Sequence, residues 1–600
     1  MSIIPPKTSW KFILIPAVIM AVLAIYPQVS LWLTKGSPWH GAYVVTNYDE
    51  VAYSAYVNAL VEGGPRRNDP FIGAADPEHE SLYSIQFIPA YGIALPARFL
   101  GVSTSAVFTF LGVLFAIASC LALFWFINSV TENLSLAGAG TLIILCLGTA
   151  VSLQGELRHL VDGRVLIDFF PFLRRYQPGF AFPLFFVFCG LVWQGFLSLS
   201  LKKSILYAVA SGLTLAVLVF SYFYLWTAAA AWLGCFGLAC LIANRENRGR
   251  IILNGAIIGI IAVAALIPYF LMRGLRSPNL DSMLLLANTH APEFASPSMI
   301  LGLMIAIAIC VIAYRGRIVM REPLTLLAIS FAVTPLILFN QQILTGQSLQ
   351  PIHYEIFIAN YMVLTATVLL GGILLRSVDN DGFGRKILIY AAGVAILVGI
   401  IEAVGPTARN AIYAEIRDES VPPIRFIQTN ENKSAQKTTP VVLATNFITA
   451  DFIPTISTFR PLWNPHTATA GGVSAVENKR LFYLYLYYSG FTEKDLTEAL
   501  RVNSFEVTAA IFGSDRALPA LGSGLAIKPS EIQAEAQKYA GFTRNFDMNQ
   551  SSNPTVSYLI VPAEAEPDFT NLDRWYKRDD GKILGLFKVY TLTQKIAVQP

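Results

Sequence analysis

Asp49 and Glu50 stand side by side in NYDEVAYSAYVNALVEGG (Asn47 to Gly64), directly after the first hydrophobic segment of the chain. A carboxylate at such a water boundary, partly withdrawn from solvent, gains the basicity needed to take a proton from an attacking hydroxyl. Successive helical residues point about 100° apart, so only one of the pair faces a cavity squarely; Asp49 is favoured as the base, with Glu50 beside it. The competing reading is structural. The apolar positions Val51, Ala52, Ala55, Tyr56, Ala59 and Leu60 recur at the spacing of an amphipathic helix, and Asn47 and Asp49 would cap it. A second acidic cluster, Asp76, Glu78 and His79 in ADPEHESLY, has the groups to bind a divalent cation or to orient an acceptor, or is a solvated loop.

Two further stretches are rich in ligand-binding side chains. GELRHLVDGRVLIDFFPFLRRYQPGF (Gly155 to Phe180) sets Arg158, His159, Arg164, Arg174 and Arg175 among aromatic rings. Guanidinium forks match phosphate oxygens, and the rings suit a lipid interface or a sugar face; the alternative is pairing of the arginines with Glu156, Asp162 and Asp168. FNQQILTGQSLQPIHYEIF (Phe339 to Phe357) carries Gln341, Gln342, Gln350, His353 and Glu355, amides and acid–base groups suited to sugar hydroxyls, against the reading of a hydrated, helix-capping loop.

The elements that must position these residues are membrane helices. Of 600 residues 54% are hydrophobic and 14% charged, against about 25% charged in soluble proteins. About eleven apolar runs approach the ~20 residues that cross a bilayer, near 12–33, 103–127, 134–153, 179–200, 204–220, 223–243, 251–272, 298–314, 323–344, 356–375 and 387–404. Ser84 to Leu100 is apolar but short and holds Pro89, Pro96 and Arg98, which reads as an interfacial helix. Lys7 and Lys11, Lys202 and Lys203, and the basic turns 244–250, 315–322 and 376–386 fall on one side when the spans alternate, and that side is the cytoplasm. The N-terminus is then cytoplasmic, and loops 34–102, 154–178, 273–297 and 341–355 lie outside, together with the tail. The division expected is a membrane domain over 1–404 and an extracytoplasmic α/β domain over 405–600. Strands are predicted at Pro440 to Thr445, Val507 to Gly513, Ser557 to Pro562 and Leu584 to Leu592, and a helix at Glu493 to Val502.

Several classes are disfavoured. The net charge of +4 is small and dispersed, so no nucleic-acid partner is expected. All six cysteines fall within spans, so neither a disulfide framework nor a cysteine metal site is expected. No Walker loop is present; the glycine stretches 382–386 and 522–530 lack its spacing. The spans are expected to be free of charged side chains, which counts against ion-coupled transport.

These features together resemble the type C (GT-C) superfamily of membrane glycosyltransferases, closest to bacterial relatives of protein mannosyltransferases and lipid A aminoarabinose transferases. The likeness rests on Asp49-Glu50 in the first outer loop, the short helix FIPAYGIALPARFLGVS (Phe87 to Ser103) before the second span, and many spans followed by an outer domain. The segment SIQFIPAYG departs from relatives that carry a His-Pro-Pro element there, which leaves the acceptor class open. The resemblance implies a bacterial plasma-membrane enzyme of envelope polysaccharide assembly. It would move a sugar from a polyprenyl-phosphate carrier to a lipid, glycan or protein acceptor, with Asp49 as base, Glu50 orienting it, and Arg174 and Arg175 on the carrier phosphate. No cofactor is implied and no divalent cation is indicated. The alternatives are a flippase or exporter of lipid-linked glycans and a non-catalytic scaffold.

Overall fold

The computed structural model describes residues 10–164, 168–277, 280, 286–376, 381–431, 439–469, 471–518, 525–565 and 567–595. Lys7, parts of the loop 273–297, the turn at 377–380 and residues 522–524 of the second glycine stretch lie outside them. Ten helices among the described residues are long and apolar enough to cross a membrane. The expected fourth span forms the helix Ala181–Leu197, 17 residues long, and so falls just short of that set. Ile88–Leu100 is a 13-residue helix ending at Gly101 in the left-handed conformation, too short to span, as its prolines and Arg98 suggest. The chain is a multispanning membrane protein that divides into two compact units.

The first unit, residues 1–30, 109–271 and 288–410, holds the body of the helical bundle. Leu134–Ser152 packs on Asn360–Arg376 and Asp381–Arg409, and Pro323–Asn340 packs on Pro297–Tyr314, Phe223–Ala243 and Asn360–Arg376. The apolar window of Pro351–Arg376 is 72% buried and that of Arg248–Gly274 only 22%, which makes the former central to this unit and the latter peripheral. Small residues let the helices close, since packing rather than the hydrophobic effect drives association inside a bilayer. At Gly302 the backbone of Ala332 occupies the place of a side chain, and at Gly190 the ring of Trp125 does.

One charged residue does lie within an expected span. Glu402, fully buried, accepts hydrogen bonds from the backbone N–H groups of Glu156 (3.0 Å) and Leu157 (3.3 Å), capping the short helix Glu156–Asp162 from outside it. A carboxylate at a helix N-terminus meets unpaired donors and the positive end of the dipole, so this acid serves architecture, not ion relay. Glu402→Ala should cost about 0.5–2 kcal/mol, the range of a lost N-cap, and limited proteolysis should cut first between Gln154 and Arg164. An unchanged cleavage pattern would show that the cap is dispensable.

The second unit gathers residues 31–108, 272–287 and 411–600, so the loop 34–102 belongs to the same compact body as the tail. Its sheet runs in the order Arg460–Pro461, Val441–Ala444, Tyr558–Pro562, Phe587–Gln594, Tyr576–Arg578, with Lys582–Leu584 also on Phe587–Gln594. The first three strands are parallel, with Val442 opposite Pro461 and Tyr558; the rest are antiparallel, with Ile560 opposite Val589. Helix Ala475–Tyr488 buries every residue from Leu481 to Tyr488 against this sheet's core, which includes Trp463, Leu559, Val561 and Tyr590. Glu493–Arg501 forms as expected, closed by a capping box between Thr492 and Asp495. The run Val507 to Gly513, expected as a strand, is instead the end of the helix Phe505–Phe512; Val507, Ala510 and Ile511 sit at helical spacing and are buried.

Candidate active site

Asp49 and Glu50 open the helix Glu50–Val61, which packs on Ile88–Leu100 and on the tail helix Phe447–Ile456. This helix is not amphipathic. Ten of its twelve residues are buried, because its polar face also finds partners inside the protein. Asn58 donates to the carbonyls of Pro454 (3.2 Å) and Ser457 (3.0 Å) and accepts from Thr104 (2.9 Å), while Ser54 meets the Tyr43 hydroxyl at 2.5 Å.

The two acids are used differently. Glu50 is fully buried, and its Oε2 accepts from the Thr46 N–H (2.8 Å) and the Thr46 hydroxyl (3.1 Å), which closes the turn before the helix. Asp49 occupies the N-cap position with helical backbone angles and makes no side-chain capping bond; Asn47 Oδ1 instead accepts from the Asp49 N–H at 3.2 Å. The Asp49 carboxylate is half-buried.

Around this turn the tail supplies groups that the sequence reading did not single out. Asp451, on Phe447–Ile456, holds His466 through both carboxylate oxygens, each 2.8 Å from Nδ1. His466 is 2% exposed, and Tyr48 stacks on its ring with centroids 4.3 Å apart. Burial alone would lower the imidazole pKa, but the charge and hydrogen bond of Asp451, helped by the charge of Asp49, outweigh it and hold the group above its ordinary value. His466 Nε2 is buried without a hydrogen-bond partner. Arg417 lies on the helix Ala411–Glu419; burial draws its pKa down while Tyr43, Asp451 and Glu50 pull the other way. That helix is tied to the segment 35–42 by Lys35 with Glu419 (2.5 Å) and by Asp418, which accepts from the N–H groups of His40 and Ala42 (both 3.1 Å). His466 and Asp451, fifteen residues apart, carry no recurring spacing that would single them out in the sequence.

The acidic cluster that follows is largely turned to local pairing. Arg66 forks onto Glu80 (2.6 and 2.9 Å), and Arg67 pairs with Asp76 at 2.5 Å while donating to the Glu78 carbonyl. Asp76 and Glu78 are exposed and His79 is half-buried. Among the described residues no three His, Cys, Asp or Glu side chains gather as a metal ion would need.

In the first unit the expected phosphate and sugar ligands separate into groups. Arg158 and Arg164 both pair with Asp162 (3.3 and 3.4 Å), and His159 lies on the same short helix, Glu156–Asp162. Glu156 and Asp168 pair instead with Arg409 (2.7 and 2.6 Å). Arg174 and Arg175 are 4% and 3% exposed. Arg174 donates to the Gln177 carbonyl (2.6 Å) and the Tyr222 hydroxyl (3.3 Å), and its guanidinium lies 4.4 Å from the centre of the Phe357 ring. Tyr224 beside Tyr222 donates to Gln350 Oε1 (2.7 Å) and stacks on His353 (4.8 Å), so Arg174, Gln350 and His353 belong to one cluster. The other polar groups of that loop hold its backbone. Gln341 donates to the Gln347 carbonyl (2.9 Å), Gln342 to the Ala291 carbonyl (3.0 Å), and Glu355 accepts from the Ser298 N–H (3.1 Å) and hydroxyl (2.5 Å) at the start of Pro297–Tyr314.

No family model and no curated protein matches the sequence. Among solved structures, the chain is similar to the apo oligosaccharyltransferase of Archaeoglobus fulgidus, with 13% identity and a TM-score of 0.46 over 99% of this chain and 75% of that one. It is similar to apo ArnT from Cupriavidus metallidurans, with 9% identity and a TM-score of 0.43 over 95% and 97% of the two chains. Against that ArnT bound to undecaprenyl phosphate, the values are 10% and 0.39 over 98% of each chain.

Proposed function

We propose that this protein is a membrane glycosyltransferase of the bacterial plasma membrane that moves a sugar from a polyprenyl-phosphate carrier to an acceptor on the extracytoplasmic side. The observation that carries this reading is the Asp49 turn. Its half-buried carboxylate acts on an imidazole held by Asp451, whose proton its charge helps to hold. In the reaction Asp49 takes the proton of the acceptor hydroxyl while the oxygen attacks the sugar carbon. The bond from that carbon to the phosphate oxygen breaks, and its electron pair leaves with the carrier phosphate, inverting the carbon. The growing charge on the departing phosphate calls for preorganised donors, which stabilise it without reorganising.

The test uses purified protein in lipid nanodiscs supplied with a panel of polyprenyl-phosphate sugars, with release of free polyprenyl phosphate followed by mass spectrometry. Release with at least one donor is expected. Tight carrier binding with no release from any donor would overturn the transferase reading in favour of carrier translocation.

A further inference from the structure

Sugar transfer turns the carrier's phosphate diester into a monoester of higher negative charge, so the base needs a cation with spare hydrogen-bond donors near it. The second unit contains one. Arg417, on the helix Ala411–Glu419, is half-buried, and among the described residues its guanidinium makes no hydrogen bond and no ion pair. Its neighbours along the chain are all committed. Lys35 pairs with Glu415 (3.4 Å) and Glu419 (2.5 Å), Asp418 accepts from the N–H groups of His40 and Ala42, and the Ser420 hydroxyl meets that of Thr449 at 2.9 Å. These bonds fix the backbone on both sides of Arg417 and leave its side chain alone. The residues three and four positions away, where a helical partner would stand, are Tyr413, Ala414, Ser420 and Val421, and none is an acid. The acids in its field, Asp451 and Glu50, are bonded to His466 and Thr46.

We propose that Arg417 binds the phosphate of the polyprenyl carrier and stabilises the charge that grows on it as the sugar leaves, with the His466 imidazolium adding its field from behind the Tyr48 ring. This rests on the glycosyl-transfer reading and names its phosphate ligand. The helix of Arg417 packs on Phe447–Ile456, as does the helix that Asp49 opens. Tyr48, the residue before Asp49, lies in the field of Arg417 and stacks on His466, and Asp451 of Phe447–Ile456 holds that imidazole through Nδ1. His466 Nε2 is buried without a partner, so the second cation of the group also has a donor to spare. A guanidinium and an imidazolium donate and cannot accept, which selects an oxyanion over a neutral hydroxyl. The guanidinium fork matches phosphate oxygens, and the transfer itself produces a phosphate where Asp49 works.

The experiment is equilibrium binding of radiolabelled farnesyl phosphate, a short polyprenyl monophosphate, and of radiolabelled farnesol to the full chain in phosphatidylcholine nanodiscs. Arg417→Gln keeps much of the side chain but loses its charge. It is expected to weaken farnesyl phosphate by about 10–100-fold, the worth of a hydrogen bond to a charged group, with farnesol binding and the thermal midpoint unchanged, because Arg417 holds no bond in the fold. Arg417→Lys keeps the charge without the fork and should recover part of the loss. Unchanged farnesyl phosphate affinity in Arg417→Gln overturns the proposal, and so does an equal loss of farnesol. Displacement of farnesyl phosphate by phosphatidylglycerol added to the disc would assign the seat to a lipid headgroup, and displacement by inorganic phosphate as strong as by unlabelled farnesyl phosphate would make it a free-anion site; either overturns the carrier assignment. Polyprenyl phosphate release is measured separately on wild type. Release together with binding that ignores residue 417 overturns this proposal alone, and binding through Arg417 with no release from any donor upholds the seat while removing the transferase.

Discussion

Asp49→Asn should lower the rate of polyprenyl phosphate release by about 10²–10⁴-fold, the range for loss of a positioned general base, with carrier binding and thermal midpoint near wild type. The separation of rate from stability is the point of the experiment. Asparagine caps helices as well as aspartate does, so any structural contribution of position 49 survives the substitution; what is lost is the ability to hold a proton. Glu50→Gln makes the opposite prediction. Glu50 is fully buried and bonded to Thr46, so its replacement should act on stability and only through that on turnover. A base at Glu50 would reverse the two outcomes, and equal release by wild type and Asp49→Asn would remove Asp49 from the mechanism.

The contrast between these neighbours shows how far sequence reasoning reaches. The acid pair was visible because it interrupts an apolar chain at a water boundary, and the spans were visible because twenty apolar residues in a row have few other uses. That the helix at 88–100 is too short to span followed from its prolines and Arg98. Partners distant along the chain were not visible. His466 and Asp451 lie fifteen residues apart with no recurring spacing, and only the fold brings them to the Asp49 turn. Val507 to Gly513 misled because β-branched and apolar residues in a short run fit either a strand or a buried helix, and packing against the tail core decided for the helix. The helix after Asp49 misled in another way. Its polar positions suggested a wet face, but Ser54 and Asn58 are buried and hydrogen-bonded to Tyr43 and to the Pro454–Ser457 turn. Glu402 likewise looks out of place in a span until its partners, two backbone donors 246 and 245 residues away, are known.

Asp451→Ala should destabilise the second unit by about 3–5 kcal/mol, the cost of leaving one member of a buried charged pair without its partner. The pair is 4% and 2% exposed, so solvent screens it little. The pH dependence identifies the cause. Asp451 raises the His466 pKa in the folded protein, so folding binds the imidazole proton more tightly than the unfolded chain does. The stabilisation is therefore fully present below the unfolded histidine value of about 6.5, and it disappears as pH rises through the higher folded value. Asp451→Asn, which keeps an oxygen for Nδ1 but no charge, isolates this contribution. Thermal unfolding in nanodiscs should show the gap between wild type and Asp451→Asn widest near pH 5.5 to 6.5 and closing toward pH 9. A gap that is flat or grows with pH would mean that His466 is held neutral, and its buried Nε2 would then be a proton acceptor rather than a donor.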